Sequence, residues 1–212
     1  MDPAAPRLET TGISKSYPNG GRQVDALRDV SIRVDPAEFV GVVGPSGCGK
    51  STLFNIIAGL DQPSEGTIRI AGSLVANRLG LVAYMPQKDL LLPWRSVVDN
   101  VALGLEVRGV APADRTRTAL ARLSEFGLAE FALNYPAALS GGMRQRVAFL
   151  RTLLLDRPVL LLDEPFSSLD ALTRAEMQEW LLGIWEQTRP SVLLARRFVQ
   201  PSSTWTATRA CG

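Results

Sequence analysis

The sequence lacks histidine and has few cysteines, and both shortages limit its chemistry. With no histidine among 212 residues, mechanisms that need an imidazole base or an imidazole metal ligand are excluded. The two cysteines, Cys48 and Cys211, lie far apart in the chain. We expect no structural disulfide between them, which is consistent with a reducing compartment.

An excess of one charge and long apolar runs are lacking too. The 23 basic and 21 acidic residues give a formal net charge of +2, so electrostatics provide no argument for a nucleic-acid partner. Apolar runs such as Val159–Leu162 and Leu90–Pro93 are far shorter than the roughly 20 residues that span a bilayer. Residues Met1–Pro6 lack the basic and apolar regions of a secretory signal, so we expect residence in the cytosol.

The first part of the chain alternates between extended and helical patterns. Three extended segments come first, at residues 7–14, 24–34 and 38–43. A helical pattern then runs from Lys50 to Leu60, and an extended segment follows from Gly66 to Ala71. The apolar face of this helix is predicted to contain Leu53, Ile56, Ile57 and Leu60.

The next part is mainly helical. Apolar residues recur at helical spacing between residues 96 and 134, and Pro112 is placed to begin the second helix of this insertion. A further helix is expected after Ser140. The run Val159–Leu162 predicts a strand buried on both faces, and Asp170 is expected to cap another helix.

A glycine-rich segment between a predicted strand and a predicted helix matches a phosphate-binding loop. Its residues are Gly44, Pro45, Ser46, Gly47, Cys48, Gly49, Lys50, Ser51 and Thr52. The glycines let backbone N–H groups point into one concavity, and the helix N-terminus adds partial positive charge. Lys50 is placed to reach the β- and γ-phosphates, and the Ser51 hydroxyl is placed to bind Mg²⁺. The alternative is a glycine turn with a chance lysine.

Two carboxylates, Asp163 and Glu164, follow the predicted buried strand. Ligands in open α/β sheets bind at the carboxyl ends of strands. Asp163 would therefore hold Mg²⁺, directly or through water, and Glu164 would polarise the attacking water. Alone, the pair is also compatible with solvated charges at a strand end.

A second candidate anion site is the segment Leu139–Arg146, with the sequence LSGGMRQR. Ser140 can cap the following helix, while Gly141 and Gly142 leave backbone N–H groups accessible at its positive end. The alternative is a simple serine-glycine cap without a ligand.

Together these motifs resemble the ABC ATPase superfamily: GPSGCGKST, then LSGGMRQR, then VLLLDEPFSSLD. The resemblance covers most of residues 7–186. It implies an α/β fold, with a RecA-like P-loop NTPase core, an N-terminal antiparallel β subdomain and an inserted α-helical subdomain. The expected domain is 1–194 with a helical insertion at about 88–140, followed by an atypical tail, 195–212. The implied cofactors are ATP and Mg²⁺.

The resemblance also implies roles for further residues. Tyr17 matches the aromatic residue that stacks on adenine, although a tyrosine at a strand end can equally fill a core. Gln87 matches the catalytic glutamine that touches Mg²⁺ and the attacking water. Ser140–Gly142 would act in trans on the ATP of a second subunit in a head-to-tail dimer. Asp170 matches the loop that crosses the dimer interface, although a helix cap is a sufficient role for it.

The segment Asp89–Trp94, followed by Val97–Val101, is similar to importer ATPases for nitrate, sulfonate, taurine or a pyrimidine precursor. In such importers this surface receives a helix of the membrane permease, so Leu92 and Trp94 are candidate contacts. The alternative is that these side chains pack the insertion. The implied partners are a second ATPase subunit, permease subunits and indirectly a solute-binding protein, with residence at the cytoplasmic face of the membrane.

One family feature is missing. The family carries a histidine after the strand that Val192–Leu194 resembles, and by register its position falls at Arg197. One hypothesis is a reading frame lost near Ala195, which would also account for an arginine-rich, acid-free tail. Another is a natural variant in which Arg197 offers a fixed charge to the phosphate. Either hypothesis predicts ATP binding with impaired hydrolysis.

Two other functions remain as alternatives. One is an ABC-type ATPase that acts on DNA or ribosomes, although the sequence shows no coiled-coil insertion, second ATPase unit or basic surface. The other is a nucleotide-binding remnant without turnover.

Overall fold

The computed structural model of the protein describes residues 5–197 and the backbone of residues 206–209. By contacts the chain divides into two compact units. The first unit comprises Met1–Tyr84, Pro158–Glu164 and Thr188–Gly212, and the second comprises Met85–Arg157 and Pro165–Gln187.

The described residues form nine strands and five α-helices. In chain order the strands are β1 (Leu8–Asn19), β2 (Arg22–Val34), β3 (Phe39–Gly44), β4 (Glu65–Ile70), β5 (Ser73–Leu74), β6 (Ala83–Met85), β7 (Leu160–Asp163), β8 (Val192–Arg197) and β9 (Thr206–Arg209). The helices are α1 (Lys50–Ala58), α2 (Val97–Val107), α3 (Pro112–Glu125), α4 (Gly141–Leu153) and α5 (Ala171–Thr188). Short 3-10 turns lie at Ala129–Phe131 and Pro136–Ala138.

One sheet of the first unit is antiparallel, with strand order β2-β1-β4-β5. β1 and β2 form a long hairpin that ends at the pair Asn19 and Arg22. Pro18 lies within β1, beyond residues 7–14, where the sequence predicts the first extended segment. Proline is tolerated at this point because β4 pairs with β1 only as far as Ser14, so beyond that residue β1 has β2 alone as a neighbour.

The other sheet has the order β6-β7-β8-β3-β9. β3 pairs in parallel with β8, from Phe39 opposite Val192 to Gly44 opposite Arg197, and on its other side with β9. β7 is parallel to β8, and Asp163 lies opposite Ala195. The carboxyl ends of β3, β7 and β8 therefore meet at one edge of the sheet, where the phosphate loop and the two carboxylates were predicted.

α1 packs its apolar side into the core of the first unit, but one predicted core residue does not join it. Leu53, Ile56 and Ile57 are fully buried, as predicted, whereas Leu60 is 61% exposed. Gly59 explains the difference, because its left-handed φ of 81° ends the helix after Ala58 and turns the chain away.

The second unit is mainly helical and its helices begin where local signals place them. Pro112 occupies the first turn of α3, and the Oγ atoms of Ser96 and Ser140 accept backbone N–H bonds at the starts of α2 and α4. Trp180 of α5 makes edge contacts with Phe126 and Phe149, with ring centroids 5.5 Å and 5.3 Å away. This aromatic cluster lies in the interior of the unit.

The prediction of an α/β fold with both an antiparallel and a parallel sheet is confirmed. Within the described part of the chain, no helix combines the length and the apolarity needed to cross a bilayer.

Candidate functional site

The phosphate loop joins β3 to α1, and its glycines have conformations that other residues avoid. Gly47 and Gly49 have φ values of 79° and 93°, in the left-handed region that favours glycine. A Cβ atom at Gly49 would lie 2.3 Å from the carbonyl oxygen of Ala26. Gly49 caps α1 without a side chain, and no acidic residue lies in the first turn. The positive end of α1 is thus available to an anion.

Lys50 is held inside the loop by several oxygen atoms. Its Nζ donates to the carbonyl oxygens of Gly44 at 2.9 Å and Pro45 at 2.7 Å. It also lies 3.3 Å from Oε1 of Glu164, and the Lys50 and Glu164 side chains are 4% and 10% exposed. Lys50 and Glu164, the predicted general base, are therefore in contact and nearly buried at the carboxyl edge of the sheet.

Asp163 is a buried carboxylate with an unpaired oxygen. It is 3% exposed, and within the described residues its Oδ1 has no hydrogen-bond partner. Burial raises the pKa of Asp163 above its ordinary value, the Ser51 hydroxyl opposes this by hydrogen bonding, and the nearby Glu164 charge adds to it. The hydroxyl of Tyr84 donates to the other oxygen, Oδ2, at 3.4 Å.

The unpaired Oδ1 and the adjacent Ser51 hydroxyl fit a magnesium ion. In the described part of the chain, no group of three or more His, Cys, Asp and Glu side chains could hold a metal. Mg²⁺ in phosphate-loop proteins commonly uses only one or two protein oxygens, with substrate phosphates and waters as further ligands. Ser51 and Asp163 together are therefore a sufficient protein contribution.

Tyr17 lies next to the end of the phosphate loop. Its hydroxyl donates to Oδ2 of Asp61 at 2.6 Å, and this bond raises the pKa of Tyr17, while a hydrogen bond with the Thr52 side chain lowers it. Tyr17 as a whole residue is 39% exposed. Tyr17 is therefore not a core residue, which disfavours the alternative role considered from the sequence.

The second unit contains the remaining predicted residues. Gln87 Nε2 donates to Ser167 Oγ at 2.9 Å, and Asp170 Oδ1 accepts the N–H of Thr173 at 3.1 Å, so the predicted cap of α5 is confirmed. Arg174 donates to the carbonyl oxygens of Phe166 at 3.2 Å and Leu169 at 2.6 Å. These bonds fix the segment between the buried strand and α5.

The segment Ser140–Gly142 packs against the same part of the second unit. Ser140 Oγ accepts the N–H of Met143 at 3.3 Å. A Cβ atom at Gly141 would lie 3.1 Å from Leu169 Cδ2, and one at Gly142 would lie 3.2 Å from Thr173 Cγ2. The glycines thus permit close packing on the start of α5, and no acidic residue lies in the first turn of α4.

The loop after Gln87 presents an exposed aromatic residue on a rigid base. Trp94 is 72% exposed, whereas Asn100 is fully buried. The Asn100 side chain accepts the N–H of Leu92 at 2.8 Å and donates to its carbonyl oxygen at 3.1 Å, and it also donates to the carbonyl oxygens of Arg95 and Ser96. One side chain therefore pins the whole loop around Trp94.

The backbone of residue 197 pairs with Gly44, the first residue of the phosphate loop. The strand β8 thus extends three residues beyond Leu194, the expected end of the domain. The Arg197 side chain, Cys211 and the remainder of the predicted tail outside Thr206–Arg209 lie beyond the described residues.

Several residues of these sites carry no signal in the sequence. Asp61, Tyr84, Ser167 and Asn100 are ordinary polar residues in the chain, and each takes its role from a partner at a distance. Ser167 belongs to the motif VLLLDEPFSSLD and Asn100 to the segment Val97–Val101, but neither pattern assigns a role to these two residues.

A strand, a glycine loop and a helix, with a buried lysine and two carboxylates at the same sheet edge, define a P-loop nucleotide-binding protein. Comparison with known sequences makes the class more specific. The sequence profile of the family described as ABC transporter matches residues 27–167. The chain belongs to the ABC transporter family and contains its ATP-binding domain, which confirms the resemblance inferred from the motifs.

Individual relatives agree with this assignment. The chain is 45% identical over 188 residues to the taurine import ATP-binding protein TauB of Pseudomonas aeruginosa, covering 89% of this chain and 72% of that protein. It is 47% identical over 180 residues to TauB of Rhizobium johnstonii, covering 85% of this chain and 69% of that protein. Among solved structures, the dimeric post-hydrolysis state of the ATP-binding cassette MJ0796 bound to ADP and Pi has a TM-score of 0.77 at 31% identity, covering 89% and 87% of the two chains.

Proposed function

We propose that the chain is the ATP-hydrolysing subunit of a membrane importer for a small solute. The observation that carries the proposal is the set of nearly buried side chains Lys50, Asp163 and Glu164 beside the carboxyl ends of β3 and β7, in a chain similar to taurine import ATP-binding proteins. Taurine or a related small anion such as a sulfonate or nitrate, or a pyrimidine precursor, is the proposed class of cargo.

In this proposal each residue of the first unit has a separate task. The loop Gly44–Thr52 binds the phosphates through backbone N–H groups and Lys50. Ser51 and Asp163 hold Mg²⁺, which offsets the charge of the phosphate oxygens when bound. Glu164 accepts a proton from the attacking water as general base. Tyr17 stacks on the adenine ring.

The second unit supplies groups that act on water and on a second subunit. Gln87 is proposed as a ligand of Mg²⁺ and a contact of the attacking water. Ser140–Gly142 at the start of α4 are proposed to contact the γ-phosphate of a partner subunit, with Asp170 near the same interface. The dimeric state of the similar cassette MJ0796 supports a homodimer, and the free positive end of α4 supports an anion contact.

Coupling to transport requires a contact with the membrane subunits. Trp94, with 72% of its surface exposed on a loop pinned by Asn100, suits a contact with a helix of a permease better than packing inside the unit. Leu92 is half-buried and supports the loop. In this role the chain is peripheral at the cytoplasmic face, and a solute-binding protein acts through the permease. No nucleic-acid partner is proposed.

A second candidate is an ABC protein that binds nucleotide but hydrolyses it slowly. The specific observation is the absence of histidine from the sequence, with arginine at the strand position beside Gly44. Arginine stays protonated and cannot relay a proton. In this variant ATP still binds to the loop while phosphate release is impaired.

One experiment tests the leading proposal. The chain is co-expressed with the permease and solute-binding protein of a taurine importer, and ATPase activity and solute uptake are measured in proteoliposomes. We expect hydrolysis that increases with solute-binding protein and cargo. Trp94→Ala should lose co-purification with the permease while retaining ATP binding, and the exposed Leu133→Ala serves as the matched control. Co-purification with nucleic acid or ribosomes in place of a permease would refute a transport role.

A further inference from the structure

A cluster of three charged or aromatic side chains lies beside the phosphate loop in the first unit. We call it the Asp61 cluster, and its members are Lys15 and Tyr17 of β1 and Asp61 after α1. The two oxygens of Asp61 have different partners: Oδ2 accepts the Tyr17 hydroxyl at 2.6 Å, and Oδ1 accepts Lys15 Nζ at 2.8 Å. One carboxylate thus fixes both the aromatic ring and the cation.

Lys15 occupies one face of the Tyr17 ring. Its Nζ lies over the ring, 4.8 Å from the centroid, which is within the range of a cation–π contact. Lys15 also donates to the carbonyl oxygen of Gln62 at 2.7 Å, and its side chain is only 13% exposed. Since Tyr17 remains 39% exposed, the surface left for a planar ligand is on the face away from Lys15.

Asp61 itself is fixed by the residues behind it. Arg78 is 4% exposed, and its Nη2 donates to the carbonyl oxygen of Asp61 at 3.2 Å and to Gln62 Oε1 at 2.8 Å. Its Nε donates to the carbonyl oxygen of Ile56 in α1 at 2.9 Å. The buried arginine therefore ties the backbone of Asp61 to the end of α1.

We propose that Asp61 is a positioning residue for nucleotide recognition, which fixes the Tyr17 ring and the Lys15 cation behind it so that a purine base stacks on the opposite face. This inference rests on the proposed role of Tyr17 as the base-stacking residue. A tyrosine whose hydroxyl and one face are fixed loses little freedom when a base binds, so its stacking is pre-organised.

The proposed role of Asp61 concerns binding of the base and not binding of the phosphates, so two ligands can distinguish them. Asp61→Ala removes the carboxylate that accepts from both Tyr17 and Lys15, while Lys15 keeps the carbonyl oxygen of Gln62 as an acceptor and the sequence of the loop Gly44–Thr52 is unchanged. We expect the affinity for Mg-ADP to fall about threefold to tenfold, the range of a typical net hydrogen bond, and the affinity for Mg-pyrophosphate to remain unchanged. Asp25→Ala is the matched control. Asp25 lies on the neighbouring strand, and its carboxylate accepts hydrogen bonds from Ser16 and Arg28 and not from Tyr17 or Lys15.

The test is calorimetric titration of the full chain with Mg-ADP and with Mg-pyrophosphate, for Asp61→Ala, Tyr17→Phe, their double variant, Asp25→Ala and Tyr17→Ala. If Asp61 acts through the Tyr17 hydroxyl, the double variant binds Mg-ADP no more weakly than the weaker single variant. Equal loss of Mg-pyrophosphate affinity in Asp61→Ala would indicate a merely structural role and overturn the inference.

Tyr17→Ala distinguishes a failure of the positioning role of Asp61 from a failure of the stacking role of Tyr17. If it weakens Mg-ADP binding while Asp61→Ala binds as the wild type does, the inference fails and the stacking role stands. If Tyr17→Ala leaves Mg-ADP affinity unchanged, the stacking role fails and the inference with it.

Discussion

The Nζ atom of Lys50 lies 3.3 Å from Oε1 of Glu164, with both side chains nearly buried. The same ammonium group donates to the carbonyl oxygens of Gly44 and Pro45 and lies 3.9 Å from Cys48 Sγ, so its three donors already have partners within the protein. An incoming phosphate must therefore replace at least one of these partners. We therefore expect nucleotide binding to change the contact between Lys50 and the Glu164 carboxylate.

This pairing leads to a prediction for Glu164→Gln. The amide can still accept a hydrogen bond from Lys50, but it cannot take a proton from water, so we expect phosphate release to fall by about 10² or more. ATP affinity should be retained. Single-turnover phosphate release and nucleotide titration measure the two effects. Glu125→Gln, which removes the charge of an exposed carboxylate paired with Arg122, is the control and should change neither quantity. An unaffected rate in Glu164→Gln would exclude Glu164 as the base.

Two glycines with similar φ values should respond differently to alanine. Gly49 has φ 93° and a Cβ there would meet the Ala26 carbonyl oxygen at 2.3 Å, whereas Gly109 has φ 78° and open space. Gly109→Ala should lower the unfolding free energy by about 1 kcal/mol from backbone strain alone. Gly49→Ala should lower it by at least about 3 kcal/mol, because the backbone must also move. Urea unfolding of both variants decides this, and equal losses would contradict the steric explanation.

Asn100 should matter for the loop that presents Trp94. Asn100→Ala leaves the Leu92 N–H without its acceptor, so we expect a loss of about 2 to 3 kcal/mol in unfolding free energy and faster proteolysis at the loop. Asn77→Ala is the control, because Asn77 is exposed and accepts a single bond from Leu79. A protease-resistant loop in Asn100→Ala would show that other contacts hold it.

The Asp61 cluster predicts a dependence of stability on acid. Hydrogen bonds from Lys15 and then Tyr17 hold the pKa of Asp61 below its ordinary value. The unfolded chain therefore binds more protons than the folded chain in the interval between the two values, and stability falls as pH decreases there. The difference in unfolding free energy between wild type and Asp61→Asn should be constant at neutral pH and shrink below about pH 4. Urea titrations between neutral and acid pH measure it, and a difference that does not change with pH would refute this.

Position 197 offers a direct test of the slow-hydrolysis alternative. Arg197→His restores a group that can exchange a proton near neutral pH. We expect steady-state phosphate release to increase about 10²-fold, the lower end of the range for a positioned proton-transfer residue, with ATP affinity nearly unchanged. Arg196→His, one position earlier on the same strand, is the matched control. Equal rates in wild type and Arg197→His would remove the sequence argument for impaired turnover.

Local signals explain what the sequence predicts well. Pro112 at the start of α3 and the caps Ser140 and Asp170 act on the next few residues, so each appears in the fold as expected. The loop Gly44–Thr52 is equally local, since its pattern already includes the strand before it and the helix after it.

The parts that the sequence does not predict depend on distant partners. Tyr17 and Asp61 are 44 positions apart, and Gln87 and Ser167 are 80 apart. No periodicity or spacing connects such residues, because tertiary folding brings them together. The prediction that Leu60 is buried is wrong for a different reason. Its spacing fits the apolar face of α1, but Gly59, with its left-handed backbone, ends the helix before Leu60.

The pairing of Gly44 with residue 197 has a consequence for how this position can evolve. The ladder between β3 and β8 consists of backbone N–H and C=O groups, which every residue except proline can offer. The backbone of residue 197 is therefore placed beside the phosphate loop whichever side chain, other than proline, this residue has. A substitution at position 197 changes the side chain next to the phosphate loop and leaves the backbone pairing of β3 with β8 intact.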